Sequence, residues 1–329
     1  MSTFPDQVFQ FGGIPVGGGM LPIMGKGAIS IFIHGSSGAD GNSGLTPDAP
    51  KKTLTSAYAL MEDGRGDVAY ILNDGSTGAT VRDVALVWAK DNCHIVGLSA
   101  PSINQRARIS TVSGTTAVDA YTPYLTLSAS GCIIKNVSWV QGNSEDGKAS
   151  VGHLISGSRN YYENVSIITG AHANQGDEVC YQAQVTGSEN VFQSCYIGHD
   201  TASRSNFASA NLRFGSGATD VAARNIFRDC LFPMFADGAG PIFVAAVTDN
   251  DTERWNLMER CTFINTGTST ITAGVTWSIT TGKLFLKDCA FYGCTDVTAA
   301  DSSYVLQASA YVMDTTPVDQ GFFLPIDIA

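Results

Sequence analysis

A short phrase returns along this chain at a spacing that a single globular core does not explain. It reads Asn160-Tyr161-Tyr162-Glu163-Asn164-Val165-Ser166-Ile167, then Asn190-Val191-Phe192-Gln193-Ser194-Cys195-Tyr196-Ile197. It continues as Asn225-Ile226-Phe227-Arg228-Asp229-Cys230-Leu231-Phe232, Asn256-Leu257-Met258-Glu259-Arg260-Cys261-Thr262-Phe263 and Leu284-Phe285-Leu286-Lys287-Asp288-Cys289-Ala290-Phe291. An earlier copy, Cys132-Ile133-Ile134-Lys135-Asn136-Val137-Ser138-Trp139, lacks the central cysteine and keeps the pattern. The central residues stand at 137, 165, 195, 230, 261 and 289, with steps of 28, 30, 35, 31 and 28. A unit of that length cannot bury its apolar face alone and must stack on its neighbours.

Each later copy is paired with a second apolar stretch: 124–127, 151–155, 181–185, 211–214, 242–247 and 275–279. Coils of about thirty residues with two or three short strands make a parallel β-helix, an all-β, single-stranded solenoid. Two further coils are expected between 81 and 120, with 94–98 as their clearest strand. Within a coil, Phe192, Cys195 and Ile197 are expected to face inward, with the polar pair before the cysteine at the bend. Val137, Val165, Cys195, Cys230, Cys261 and Cys289 should then form one vertical core file, small side chains packed on their copies. The asparagine that opens the phrase suits a turn with left-handed backbone.

The eight cysteines read as reduced, buried thiols. Neighbouring coils lie about 4.8 Å apart, near the low end of the Cα separation a disulfide bridges, and no Cys-x-x-Cys supports zinc. A net charge of −11 argues against nucleic acid or an anionic membrane as partner. No apolar run approaches the length of a membrane span. Met1-Ser2-Thr3-Phe4-Pro5-Asp6 does not read as a secretory signal, so synthesis and retention in a cytoplasm are expected.

Residues 1–28 read as an extended arm. Its apolar members, Phe4, Phe9, Phe11, Ile14, Val16, Leu21 and Ile23, alternate with Gly and Pro in a way that suits docking against another surface. Residues 29–310 form the solenoid. Leu54, Ala57, Tyr58 and Met61 recur on one helix face, which predicts a short helix at the start of the stack. Residues 311–329, Pro-broken and apolar, are expected to cover the open edge of the last coil.

The stretch Gly38-Ala39-Asp40-Gly41-Asn42-Ser43-Gly44-Leu45-Thr46-Pro47, followed by Pro50-Lys51-Lys52-Thr53-Leu54 and Ala57, resembles the opening segment of pectin-lyase-like right-handed β-helix proteins. The Asn-x-Phe-x-x-Cys-x-Phe phrase is similar to their coils. The resemblance spans about residues 28–310 and implies right-handed winding with a short N-terminal capping helix. The fold hosts lyases, hydrolases and non-enzymatic virion parts. The opening segment behind a Gly-rich arm is also similar to structural proteins of tailed bacteriophages. That likeness implies a capsid decoration or minor capsid protein: a virion protein, homotrimeric, docked by its arm on the major capsid protein, without catalytic activity, metal or cofactor. The alternative is a tailspike with polysaccharide hydrolase or lyase activity. Host-surface polysaccharide is a further partner under either reading, through outward aromatics such as Tyr161 and Trp255.

The enzyme reading needs two acids on one groove. Its candidates are Asp177 with Glu178, Asp249 with Asp251 and Glu253, and His199 with Asp200. A lyase of the pectate type would need a carboxylate cluster for calcium and a basic proton acceptor, with Arg204 and Arg213 near Asp200 as candidates for that acceptor. All are expected in loops and none recurs one coil away. Asp40 to Gly44 resembles the start of a calcium loop without its later acidic ligand, and reads better as a turn. Arg65-Gly66-Asp67 also reads as a turn. His34, His94, His153, His172 and His199 share no metal-ligand spacing, and His94 and His153 fall within strands.

Overall fold

The computed structural model describes residues 27–112, 117, 119–176, 178–205, 208–216, 221–249, 251–298 and 302–308, together with strand residues 10–11, 14–15 and 324–326. The chain winds as a right-handed parallel β-helix of three long sheets. The first sheet begins with Ser30–Ile33, Val68–Leu72 and His94–Leu98 and runs through Tyr161–Glu163, Val191–Gln193 and Ile226–Arg228 to Ser302–Ala308. The second contains Ser138–Val140, Ser166–Ile168, Leu231–Ala236 and Thr262–Asn265; the third contains Ser150–Ile155, Cys180–Val185, Ala210–Phe214 and Ile242–Ala246. Each strand pairs in parallel with its copy one coil on.

The repeated phrase spans the corner between the first and second sheets. Asn136, Asn164, Ser194, Asp229, Arg260 and Asp288 turn that corner with φ between 50° and 55°, the left-handed region. The residue after each one points inward. Val137, Val165, Cys195, Cys230 and Cys261 are at most 1% exposed, and Cys289 is half-buried. The amides that follow them step coil to coil: Ser166 N to Val137 O, Tyr196 N to Val165 O, Leu231 N to Cys195 O, Thr262 N to Cys230 O, Ala290 N to Cys261 O. All eight cysteines are free thiols. Burial pushes the Cys132 thiol up to about 12 and Cys230 well above its ordinary value, so these thiols stay neutral.

Inside, like stacks on like. Tyr162, Phe192 and Phe227 lie under the first sheet with ring centroids 4.7 and 4.3 Å apart. Phe232, Phe263 and Phe291 do the same under the second sheet, at 4.7 and 4.3 Å. Each such pair adds about 1 kcal/mol beyond its buried area.

The opening asparagines of the phrase do something other than expected. Asn160, Asn190, Asn225 and Asn256 are buried and form a hydrogen-bonded ladder. Each Oδ1 accepts the backbone N–H one coil below: Cys132 N to Asn160, Asn160 N to Asn190, Asn190 N to Asn225, Asn225 N to Asn256, at 2.9–3.0 Å. The left-handed residues are those just before them, Arg159, Glu189 and Arg224. The side-chain amides satisfy backbone groups that the third-to-first-sheet corner leaves unpaired.

The expected helix is Leu54–Leu60. Thr53 caps it through Ser56 N at 3.1 Å, and Leu54 and Ala57 are buried against the first coil. Asp40 accepts from Lys52 N, Thr53 N, Thr53 Oγ1 and Ser56 Oγ at 2.7–3.1 Å, so this carboxylate is spent on the helix start. Arg65 donates to Asp67 at 2.7 Å, and the buried Asp67 also accepts from Ile29 N and Glu62 N, which makes that tripeptide an internal clamp.

The arm expected at 1–28 lies outside the described residues, apart from residues 27–28 and a short antiparallel pair of Gln10–Phe11 with Ile14–Pro15. Of the end cover expected at 311–329, Leu324–Ile326 is described and pairs antiparallel with Ser302–Ala308.

Candidate functional site

The structure disperses the acid clusters singled out in the sequence. Asp177 lies outside the described residues, and Glu178 is half-buried. Asp251 is 1% exposed and caps a turn, accepting from Val247 N and Thr248 N at 3.0 and 2.8 Å. Asp249 accepts from Thr280 N and Oγ1 on the next coil, and Glu253 is exposed.

His199 and Arg204 are not loop residues as expected. They belong to the strand His199–Arg204 and are buried, because the chain folds inward here and Arg204 satisfies carbonyls. Its guanidinium donates to Gln175 O, Thr169 O and Gly170 O at 2.7–2.9 Å and reaches His199 Nε2 at 2.8 Å. Burial, with that guanidinium beside it, pushes His199 down to about 3. The ring is therefore neutral at ordinary pH and sealed away from Asp200, which is exposed.

Among the described residues, one half-exposed face that runs along several coils is the outside of the third sheet. Thr126, Leu154, Gln184 and Arg213 stand one above the other in register, with Val87 below and Ala245 above. Beside them runs the row Val151, Tyr181, Ala210 and Ile242. Strand alternation turns Thr126, Leu154, Gln184 and Arg213 away from Leu125, Leu127, Ile155, Ala183, Val185, Leu212 and Phe214, which fill the interior; Val151, Tyr181 and Ile242 are half-buried, and Ala210 and Ala245 are buried. Tyr181 and Arg213 form the centre. The Arg213 guanidinium carbon sits 4.9 Å from the Tyr181 ring centroid, and its Nη1 donates to the Tyr181 hydroxyl at 3.1 Å. The Arg213 Nε is buried and has no hydrogen-bond partner. Gln184 Nε2 donates to Gly215 O at 2.7 Å. These two rows carry one cation and no carboxylate, so they suit recognition, and they do not themselves supply the acid pair that sugar hydrolysis uses.

Arg213 was legible as a basic residue. Tyr181 was legible only as part of a strand, and its partnership with Arg213 depends on register. Among the described residues no three His, Cys, Asp or Glu side chains gather as metal ligands, and no helix is long and apolar enough to cross a membrane.

No protein-family model and no curated protein matches the sequence. Solved structures do. A rhamnogalacturonan lyase matches at 13% identity, with 81% of this chain and 69% of that one covered and a TM-score of 0.57. Two structures of a pectin methylesterase in complex with hexasaccharides match at 14% identity, with 88% and 92% covered and a TM-score of 0.55. The likeness shows the fold: this chain is a pectin-lyase-like right-handed parallel β-helix. It also corrects the expectation of a protein without catalytic activity, since the similar structures are pectin-processing enzymes. That expectation rested on a likeness to virion parts, which does not report on chemistry carried by the coil surface. The comparisons lend no support to a phage or capsid role.

Proposed function

We propose that this chain is a polysaccharide-active β-helix enzyme, a hydrolase or lyase, whose substrate lies along the outer face of the third sheet. The observation that carries the reading is the Tyr181–Arg213 pair, half-exposed on the third sheet. An aromatic ring offers a face for the C–H side of a sugar. A half-exposed guanidinium offers charge-assisted hydrogen bonds to a uronate carboxylate. Thr126, Leu154 and Gln184 on the neighbouring coils lie in line with this pair along the solenoid. Two of the similar folds are a rhamnogalacturonan lyase and a hexasaccharide-bound pectin methylesterase, which makes acidic plant-type polysaccharides the first substrates to try.

The test is incubation of the full chain with pectin, rhamnogalacturonan and neutral glycans. New reducing ends report hydrolysis, and ultraviolet absorbance of an unsaturated product reports elimination. Arg213→Ala and Tyr181→Ala should each weaken binding about tenfold or more, as expected for loss of a contact worth 1–2 kcal/mol. Absence of both products with every polymer, or binding that both variants leave intact, overturns the reading.

A further inference from the structure

We propose that a second site, away from the third sheet, hydrolyses carboxylic esters, with Ser37 as nucleophile, His34 as its base and Asp74 orienting the imidazole. It goes beyond the polysaccharide reading and stands on other residues. The first-sheet strands Ser30–Ile33, Val68–Leu72 and His94–Leu98 are neighbours. The segments that leave their C-terminal ends border an open depression on the surface. His34, Ser36, Ser37, Leu72, Asn73, Asp74 and Leu98 line it, and Ser36 Oγ lies 3.3 Å from His34 Nδ1, farther than Ser37 Oγ.

Three side chains from two coils meet there in a relay. Ser37 Oγ lies 2.7 Å from His34 Nδ1. Ser37 N–H donates to the same nitrogen at 3.1 Å, so Nδ1 presents its lone pair and the ring proton sits on Nε2. Nε2 faces Asp74 Oδ2 at 3.6 Å, a long contact of the kind that tightens once the imidazolium forms. Hydrogen bonds from the Ser76 side chain and N–H hold the Asp74 carboxyl below the usual carboxylate range, so it is ionised at neutral pH. The exposures suit the roles: Ser37 is exposed, His34 is 6% exposed, and Asp74 is open to solvent.

Pinning the 35–38 turn needs only the Nδ1 bond to Ser37 N–H. It does not explain a carboxylate on the opposite nitrogen, or an accessible hydroxyl at 2.7 Å in that depression. Asn73 adds a donor. Its Oδ1 accepts Gly75 N–H at 2.7 Å, which fixes the amide and leaves Nδ2 for a developing oxyanion.

The step balances without a cofactor. Ser37 Oγ attacks the ester carbonyl while its proton passes to His34 Nδ1. The C–O bond to the alcohol breaks, and the leaving oxygen takes that proton. Water then attacks the acyl-serine, giving one proton to His34, and the carboxylic acid departs as the proton returns to Ser37 Oγ. Leu72 and the 45% exposed Leu98 give the acyl group a small apolar wall, so short acyl chains such as acetyl are the class that fits.

The experiment uses the full chain with p-nitrophenyl acetate and, separately, a fluorophosphonate probe read by peptide mass spectrometry. We expect hydrolysis above the buffer rate and the probe on Ser37. Ser37→Ala should lower kcat/KM about a thousandfold, while Ser102→Ala, an exposed serine elsewhere, retains full activity. Asp74→Asn should lower kcat with KM nearly unchanged, the mark of a positioning residue. Thermal melting checks that each variant folds. No hydrolysis above buffer, unchanged activity in Ser37→Ala, or labelling of another residue overturns the proposal. The model ester needs no polysaccharide, so this result and the glycan test succeed or fail separately.

Discussion

Replacing His153 with leucine should stabilise the protein, and more so the lower the pH. His153 is 1% exposed, faces inward between Leu125 and Ala183 in the register, and meets Trp139 edge-on at 5.0 Å. Neither ring nitrogen has a hydrogen-bond partner. Burial pushes its pKa down to about 3, against roughly 6.5 in an unfolded chain. A histidine depressed in this way leaves stability intact above the unfolded value and erodes it as pH falls toward the folded one, because only the unfolded chain takes up the proton. The slope is about 1.4 kcal/mol per pH unit below 6.5, hence about 2 kcal/mol at pH 5. Removing two unpaired ring nitrogens adds a pH-independent gain of about 1–3 kcal/mol, offset in part by imperfect packing of the leucine. The measurement is urea unfolding of both proteins at pH 7.5, 6 and 5, followed by tryptophan fluorescence. The stability difference should be flat above pH 6.5 and about 2 kcal/mol larger at pH 5. A difference that does not change with pH would mean that the ring is solvated or protonated in the folded state, and the argument would fail.

Two further outcomes follow from the interior. With a thiol reagent on native protein, Cys289 and Cys294 should react first, since the other six are buried; rapid reaction of all eight would mean that the coil interior is open. Asn190→Ala removes the acceptor for Asn160 N and the donor to Gly157 O, and should cost about 2–4 kcal/mol in denaturant unfolding; a loss under 0.5 kcal/mol would mean that water replaces the side chain.

The solenoid could be read from the sequence because the coil interior repeats its demand. Phe192 and Phe227 stack almost parallel, at 2°, and Cys195, Cys230 and Cys261 pack on their copies. Every coil meets the same restricted space, so the same residue types return. The asparagine that opens four of the six copies returned as well, but its role was not legible. An asparagine side chain can ease a left-handed turn or substitute for a backbone partner, and composition does not choose between them. The turn itself fell to Arg159, Glu189 and Arg224, residue types that advertise nothing. A glycine gives a clearer signal: at Gly97 an added Cβ would press on the Asn136 carbonyl and on Ala107, so close contact between successive coils excludes a side chain there.

The candidate sites were not legible for the converse reason. Tyr181 and Arg213 lie 32 residues apart, and His34 and Asp74 lie 40 apart. They meet only because each coil between them has a particular length, and those lengths vary; the step from Cys195 to Cys230 is 35 where its neighbours are 30 and 31. A repeat announces what every coil must do, and chemistry needs something that one coil does alone. The outer rows on which Tyr181 and Arg213 sit tolerate Val87, Thr126 and Ala245 as well, so the ladder imposes no identity there. In the first coils, where the phrase is worn, His34 with its exposed serine and facing carboxylate is not demanded by stacking. In a solenoid the residues that break the pattern are therefore the ones whose presence the fold does not explain, and they are where activity should be sought first.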